Sequence, residues 1–563
     1  MGETLRRSLP AVFCVSFVCA VSVCAEGVGG TLHGRTKSIT GEPMPGVQVV
    51  AHNLDDKTEL TTISGLDGTY ALNLEKPGRY EISATRDALK SASTNTTEVT
   101  PGQDRTYDII MGTLAPKNIV PPASFLTRFK KAYTDDWAGT ASSGPTPAFR
   151  GYPAPVTNPP WPFVVWPYGG SPTIGQPNTM APPLMTALYA GPHGEAWQAS
   201  KIQIYGWANG GFNISSSNRS GTANAPASYY VYPNSIQLDQ ATLYVERVPD
   251  TVQTDHIDWG FRFTALYGMD YRFTTSKGIL SSQLIDNNSR YGFDPVMAYA
   301  DVYIPWIGEG MNIRIGRYVS LPDIEAQLAP NNYTYSHSIT YTYDCYTQQG
   351  VNTTTRLTDH WMVQVGLSAG CDASLWTPDA KLTGNACVSY TWRTGKDNVY
   401  FCANSINSGK YAYNNLAAYY ATWYHKFNDK WHTDFESWYQ YERDVPSIFG
   451  PLKPEAGANG AWCKPGQTLC YAPDSSFLNY VERQFGAHDT LSIRNEFVDD
   501  IKGQRTGIKT RYTEHLISWN HWIGTSLLFR PEVRFERSYD NPAFDNATKK
   551  NQLILAGDII VFY

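Results

Sequence analysis

Over the last two thirds of the chain, apolar and polar residues alternate with a period of two. In "LLFRPEVRFERSY", residues 527 to 539, Arg530, Glu532, Arg534 and Glu536 take every second position, and Phe529, Pro531, Val533 and Phe535 fill the gaps. Successive side chains of a strand point to opposite faces, so this segment is a strand with one charged face and one oily face. The same alternation sets Trp259, Phe261 and Phe263 against Asp258, Gly260 and Arg262. It sets Trp361, Val363, Val365 and Leu367 against Met362, Gln364, Gly366 and Ser368, and Leu491, Ile493 and Phe497 against Arg494 and Glu496. In "WHTDFESWYQYE", Asp434, Glu436, Gln440 and Glu442 share a face. A soluble sandwich would bury the oily faces; a membrane barrel would turn them to lipid and the charges to a water-filled lumen.

Reading on this period predicts strands at 201–213, 236–248, 256–267, 294–304, 311–319, 346–357, 361–371, 384–393, 398–405, 415–426, 430–442, 477–486, 489–498, 508–518, 524–537 and 551–563. The alternation is mixed at 236–248 and 508–518. Short turns such as "RTGKDN", "FNDK", "AHD" and "WNH" alternate with longer polar segments at 214–235, 268–293, 320–345, 372–383, 443–476 and 538–550. Long loops on one rim and short turns on the other are the pattern of an outer-membrane barrel. Tyr and Trp crowd the strand ends, as in "WYHKFNDKW", which fits an interfacial girdle. The fold expected is all-β: a transmembrane antiparallel β-barrel of about sixteen strands over 199–563. Pro531 lacks the N–H that a fully paired strand needs, so a bulge or register shift is expected beside it.

The N-terminal part reads differently. Arg6 and Arg7, the apolar run Ala11 to Val23, and "VCA" before Glu26 make residues 1–25 a secretory signal peptide. Residues 26–112 hold short β-rich runs ("VQVVAHN", "TYALNL", "RYEISAT", "RTYDIIM") between turn signals, as in a small Ig/prealbumin-like β-sandwich. Residues 113–198 are rich in Pro and Gly and read as a linker. Within it, "FLTRFKKAYTDDW" (125–137) has the pattern of an amphipathic helix, and Trp161, Trp166 and Tyr168 suggest that part of the linker packs.

Composition narrows the function. The 563 residues carry a net charge of −6, only 17% charged residues, 37 Tyr and 16 Trp. An acidic chain with no basic patch does not suit nucleic acid. Outside the first 25 residues no apolar run is long enough for a transmembrane helix, whereas barrel strands never build such a run. Six cysteines follow the signal: Cys345, Cys371, Cys387, Cys402, Cys463 and Cys470. In an exported chain they are compatible with three disulfides, and none forms a zinc or haem motif. Cys463 and Cys470 flank "KPGQTL" and are the favoured pair; Cys345 and Cys371, and Cys387 and Cys402, lie symmetrically about short turns. The wider connectivity is not fixed by spacing, and buried free thiols are the alternative.

Two segments resemble known families. "GEPMPGVQVVAHN…TTISGLDGTYALNLEKPGRYEISA" resembles the carboxypeptidase regulatory-like domain, through Pro45-Gly46, Asp67-Gly68-Thr69-Tyr70 and Gly78-Arg79-Tyr80. These are turn formers and strand aromatics, so they specify a fold and not a chemistry. Such domains are grouped with carbohydrate-binding-like folds, but no aromatic platform for a sugar is evident. "DPVMAYADVYIPWIGEGMNIRIGRYVSLPDIEAQLAPNNYTYSHS", residues 294–338, with "LYGMDYRFTTSKG" before it, resembles the β-barrel porin-2 (OmpL-like) family. That resemblance implies an outer-membrane pore without naming a solute.

For a pore, selectivity is set by the lining charges. The candidates are Arg262, Arg314, Arg317, Asp323, Glu325, Arg494, Glu496, Arg530, Glu532, Arg534 and Glu536. The loop "SLPDIEAQLAPNN", folded inward, would set Asp323 and Glu325 against Arg314 and Arg317 across the lumen. Arg317 is the weakest of these, since it shares strand parity with Ile313 and Ile315. The alternative for the 530–536 ladder is that its charges pair with cross-strand neighbours and hold the barrel's shape. No catalytic motif such as HExxH or GxSxG is present, and His425 and His521 fall at short turns where a proton or solvation role suits them. The reading is therefore a non-enzymatic outer-membrane channel for passive diffusion of small hydrophilic solutes, with the sandwich in the periplasm. No cofactor or metal is implied. Its partners would be outer-membrane lipid, the outer-membrane assembly machinery, solutes and further copies of itself. The rivals are a TonB-dependent-type transporter, which needs about 22 strands and a globular plug, and a barrel-anchored adhesin or carbohydrate-binding protein.

Overall fold

The computed structural model describes residues 30–38, 41–86, 89–90, 95–100, 102–111, 124–139, 174–175 and 182–563. The segment expected as a signal peptide and most of the one expected as a linker, with Trp161, Trp166 and Tyr168, lie outside them.

The N-terminal unit is a β-sandwich. One sheet joins β1 (Gly30–Lys37), β4 (Thr69–Leu74), β8 (Asp104–Thr106) and β9 (Ile109–Ile110) once the second is counted apart: β2 (Gln48–Asn53), β3 (Glu59–Ile63), β5 (Gly78–Arg86), β6 (Leu89–Lys90) and β7 (Asn95–Val99). The alternate residues of these strands meet in a core of Leu32, Val49, Leu72, Tyr80, Ile82 and Val99, each at most 5% exposed. Asp67 holds the turn into β4 by accepting from the Thr69 backbone N–H (3.1 Å) and hydroxyl (2.6 Å). This is the local reason the Asp-Gly-Thr-Tyr run forms a turn followed by a strand.

The linker segment at 125–137 is helical, as its pattern predicts: α1 (Phe125–Trp137), with Ser124 accepting from Thr127 N–H at its start. Phe125, Phe129, Tyr133 and Trp137 stack along one side at successive i, i+4 positions. The last turn docks on the barrel, where Asp136 accepts from the backbone of Thr525 (2.8 Å) and Ser526 (3.0 Å).

Sixteen antiparallel strands then close a barrel, each pairing with the next and the last with the first. They are β10 (Ile202–Ser215), β11 (Ile236–Arg247), β12 (Asp258–Gly268), β13 (Gly292–Ile304), β14 (Met311–Val319), β15 (Thr347–Arg356), β16 (Trp361–Ser368), β17 (Thr383–Thr391), β18 (Asp397–Ile406), β19 (Ala417–Asn428), β20 (Trp431–Pro446), β21 (Leu469–Phe485), β22 (Asp489–Asp500), β23 (Thr510–Ile523), β24 (Leu527–Ser538) and β25 (Asn551–Phe562). Every strand expected from the period has its counterpart. The barrel has too few strands for a TonB-dependent-type receptor.

The mixed alternation at 236–248 has a cause: the register against β10 shifts at Asp239–Gln240, so both residues face inward and parity flips at the bulge. In β23 the burial alternates regularly, with Glu514, Leu516 and Ser518 inward. The segment expected as a loop at 443–476 is partly strand. β20 and β21 run on past a bulge near Arg443–Asp444, and the connection shrinks to 447–468. Out there the hairpin has left the lipid, so neither face needs to be oily and the period fades. The connections 407–416 and 501–509 also belong to the long-loop rim.

The bulge expected at Pro531 is not there. β24 keeps one register against β25, with Pro531 opposite Gly557, and the same register against β23 on both sides of the proline. Pairing with β23 lapses only opposite Trp519 and Asn520. The missing donor is absorbed by leaving a short gap in one ladder, and Gly557 gives the ring room: a Cβ there would stand 3.3 Å from the Pro531 Cα.

Disulfides join Cys345 to Cys371, Cys387 to Cys402 and Cys463 to Cys470. Cys387 and Cys402 are direct cross-strand partners on β17 and β18, facing inward. Cys345–Cys371 ties two long connections together and Cys463–Cys470 ties the 447–468 connection to the start of β21, restricting loops whose closure entropy is otherwise large.

Candidate pore and constriction

The outward face of the barrel is apolar along its height. Val365, Leu367, Ile517, Val533, Phe535 and Ile559 are each more than 40% exposed to the surroundings, while the residues between them are buried. Such a band would be an aggregation hazard in water and is the contact surface required by lipid. At the short-turn rim one arrangement occurs twice. Asp397 accepts from Trp423 Nε1 (3.1 Å) and pairs with His425 Nδ1 (2.7 Å); Asp489 does the same for Trp519 (2.9 Å) and His521 (2.7 Å). Both pairs follow a Trp-x-His spacing on one face of a strand, which places the ring bodies outward and their polar atoms on an aspartate. This is an interfacial girdle with its hydrogen bonds satisfied.

The lumen is occupied by the connection between β14 and β15. Residues 320–346 fold inward and are buried almost throughout. The charged strand faces hold this loop. Arg494 donates through Nε to Glu514 (2.7 Å) and through Nη1 to Glu325 (2.9 Å) and the Ser336 carbonyl (2.7 Å). Arg530 bridges Asp558 (2.5 Å) to the Ala329 (2.7 Å) and Asn332 (2.8 Å) carbonyls. Arg534 pairs with Glu514 (2.8 Å) and Glu536 (2.7 Å) and reaches the His337 carbonyl (2.8 Å). Two glutamates cap buried loop amides: Glu532 accepts from Tyr335 N–H (3.0 Å) and Ser336 N–H (3.2 Å), and Glu496 from Ile339 N–H (3.0 Å) and Thr340 N–H. A buried loop carries backbone groups that must find partners, and here the barrel wall supplies them. The 530–536 ladder thus works both along the wall and into the loop.

Asp323 and Glu325 do not face Arg314 and Arg317 across the lumen. Glu325 pairs with Arg494 and accepts from the Tyr480 hydroxyl, while Arg314 is bound to Asp301 through two contacts of 2.9 Å and Arg317 to Asp294 at 2.8 Å. The loop is anchored instead on Glu436 of β20, on β22 to β25 and on Gln240 of β11, so its acids find partners on strands far along the chain. Arg317, which parity assigned to the lipid face, is 3% exposed. Gly316 before it adopts φ +139, where a Cβ would meet the Ala298 carbonyl at 2.3 Å, and this twist brings Arg317 inside. Asp323, in the loop and outside the spanning strands, has its carboxyl pushed well up, first by burial and then by the negative charges of Asp344 and Glu436.

Ten of the eleven candidate residues are at most 4% exposed, and Arg262, with a side chain 21% exposed, is the accessible one. Arg262 pairs with Glu246 (2.5 Å), and its guanidinium lies 5.4 Å from the Tyr244 ring and 5.9 Å from Tyr299; Arg314 stacks on Tyr299 at 3.8 Å. This Arg–Tyr ladder is a polar track on the inward faces of β11 to β14. The partners Glu514, Asp558, Asp301, Asp294 and Glu246 were not singled out in the sequence. A charge on the inward parity of each strand was the available signal.

A family model described as "Putative beta-barrel porin-2, OmpL-like" matches residues 201–563, and the carboxypeptidase regulatory-like domain matches residues 31–112. No curated protein matches the chain. Among solved structures, the chain is similar to the anion-selective porin from Comamonas acidovorans, at 9% identity and a TM-score of 0.41 over 64% of this chain and 99% of that one. It is similar to the outer membrane channel DcaP of Acinetobacter baumannii at 11% identity and a TM-score of 0.39, over 64% and 97% of the two chains. It is also similar to the trimer form of OmpT, an outer membrane protein of Vibrio cholerae, at 9% identity and a TM-score of 0.37, over 64% and 99%.

Proposed function

The chain belongs to the putative β-barrel porin-2 (OmpL-like) family, an outer-membrane porin barrel, and from that premise we propose that it lets small hydrophilic solutes cross by passive diffusion, with residues 320–346 as the constriction. One observation carries the reading: a closed sixteen-stranded wall, oily outside and charged inside, into which a loop is folded and held by Arg494, Arg530 and Arg534. A barrel serving only as an anchor has no need of a polar interior organised around an inward loop. The passage is narrow, because the loop and its partners fill much of the section, and the Arg262–Arg314 track offers charge along β12 to β14. The short-turn rim is the periplasmic one, and the sandwich belongs on that side. Its Asp67 lies 3.8 Å from Lys201 at the start of β10, and α1 grips the 524–526 turn.

Purified protein in planar bilayers tests this. Small, discrete ohmic steps are expected, and Arg262→Ala should shift the reversal potential toward cation preference. Folded protein, shown by heat-modifiable migration, that stays silent would sink the channel reading and favour an anchor.

A further inference from the structure

We propose a divalent transition-metal site in the barrel wall, formed by His432 and Asp434 of β20 and Glu482 of β21, taking a borderline cation of the Zn2+ class. His432 and Asp434 are two positions apart and so share the inward face, and the register sets His432 directly opposite Glu482. One donor atom from each of the three lies within 4.8 Å of the others. His432 is 8% exposed, Asp434 1% and Glu482 0%.

The second, independent observation is that the donor atoms are orphans. His432 Nε2, both Asp434 carboxylate oxygens and Glu482 Oε2 are buried without a hydrogen-bond partner. Buried polar atoms in folded proteins are nearly always partnered, and a buried carboxylate is costly unless a cation offsets it. Several other acids of this lumen are neutralised directly: Glu325, Glu514, Glu536 and Asp558 each touch an arginine. Asp434 and Glu482 touch no arginine or lysine among the described residues; Glu482 has only His432 Nε2 at 3.5 Å and a 3.4 Å contact from the Ser492 hydroxyl. The wall has placed two acids side by side and left out the positive charge.

A dication restores neutrality with the imidazole uncharged. Donors bound at about 2.1 Å around a tetrahedral ion stand about 3.4 Å apart. The His432–Glu482 separation of 3.5 Å already fits, and Asp434 closes by a side-chain rotation. One imidazole nitrogen with two carboxylates suits Zn2+ and its neighbours; Ca2+ takes six to eight oxygens, which this layer does not offer. The hydroxyl of Tyr424, the β19 residue opposite Asp434, also lacks a partner, and the rings of Tyr424 and Tyr333 lie 5.7 and 5.6 Å from His432. These rings wall the group off from the rest of the lumen. The site lies one residue into β20, next to the short turn at 429–430, so it belongs to the rim opposite the long loops. It stands whether or not the barrel conducts.

The test uses the full folded protein in detergent, stripped with chelator and dialysed against Zn2+ or Co2+, with bound metal counted by mass spectrometry. One ion per chain is expected, with affinity falling at least tenfold in each of Asp434→Asn, Glu482→Gln and His432→Gln. The visible absorption of the Co2+ form should change in each variant, and heat-modifiable migration verifies that each is folded. Asp434→Asn and Glu482→Gln are isosteric and remove uncompensated charge, and any variant that fails to fold leaves the other two to decide. The proposal is overturned by wild-type protein that binds no ion, as a protonated His432–Glu482 pair with a neutral Asp434 would. It is equally overturned by the triple variant binding as much metal as wild type.

Discussion

Strand β2 of the sandwich and strand β24 of the barrel have the same period and opposite outcomes. In β2, Val49 and Ala51 are fully buried while Gln48 faces water. In β24, Val533 and Phe535 are 47% and 41% exposed while Arg530, Arg534 and Glu536 are fully buried. Periodicity reports that a strand has two unlike faces; it does not report which face meets the solvent. The deciding sign is what occupies the polar face. Gln48 needs only water, whereas β24 presents arginines and glutamates that demand partners of opposite charge, and only an enclosed interior with neighbouring strands of the same kind provides them.

The largest break in this comparison comes from putting a charge on the oily face of the sandwich. Val49→Arg buries an unpaired guanidinium in a small core and should remove most of that domain's stability, on the order of 5 kcal/mol. Limited proteolysis should then digest residues 30–111 while the barrel keeps its heat-modifiable migration. A sandwich that stays resistant would mean the Val49 face is not its core. Next comes the polar interior of the barrel. Arg494→Met leaves Glu325 buried without its cation and Glu514 with Arg534 alone, at a cost of about 3–5 kcal/mol. Urea unfolding from lipid vesicles should show a lower midpoint than wild type. An unchanged midpoint would mean that Arg494 does not hold the loop in the lumen.

How much of this was legible follows from what kind of information each feature needs. The sixteen strands were readable because alternation is local, and the sandwich because its turns are written in Pro, Gly and Asp. Partner identity was not. Asp323 and Glu325 were expected opposite Arg314, their neighbour in sequence, yet Glu325 meets Arg494, 169 residues away, because closure and stagger decide who faces whom. Arg317, kept as a lining candidate but ranked weakest by parity, does face inward, because a single glycine with positive φ overrides that parity. Pro531 was expected to break the register; the barrel, fixed by pairing on its other side with β25, tolerated a gap. The His432–Asp434–Glu482 group was half visible, since Asp434 shares a face with Glu436. Its third member comes from the next strand, and no short spacing motif announces it.

The gentlest test asks whether the oily face of β24 lies in lipid at the depth the alternation implies. Val533 is near the middle of Leu527–Ser538, and Arg537 is four residues further along the same outward face. At a rise of about 3.3 Å per residue, the two are separated by about 13 Å along the tilted strand. The chain therefore already carries an arginine on this face, at the level where it can reach the interface, with its guanidinium 5.1 Å from the Tyr539 ring. Moving such a charge to mid-height costs about 2–4 kcal/mol in a transmembrane barrel and close to nothing at the rim. Val533→Arg should thus lower the urea midpoint in vesicles, and Arg537→Leu should leave it nearly unchanged. In detergent, where water reaches the belt more easily, the penalty at 533 should shrink. Equal effects at 533 and 537 would mean that β24 does not cross the hydrocarbon between them, and the inside-out reading of its period would fail at that strand.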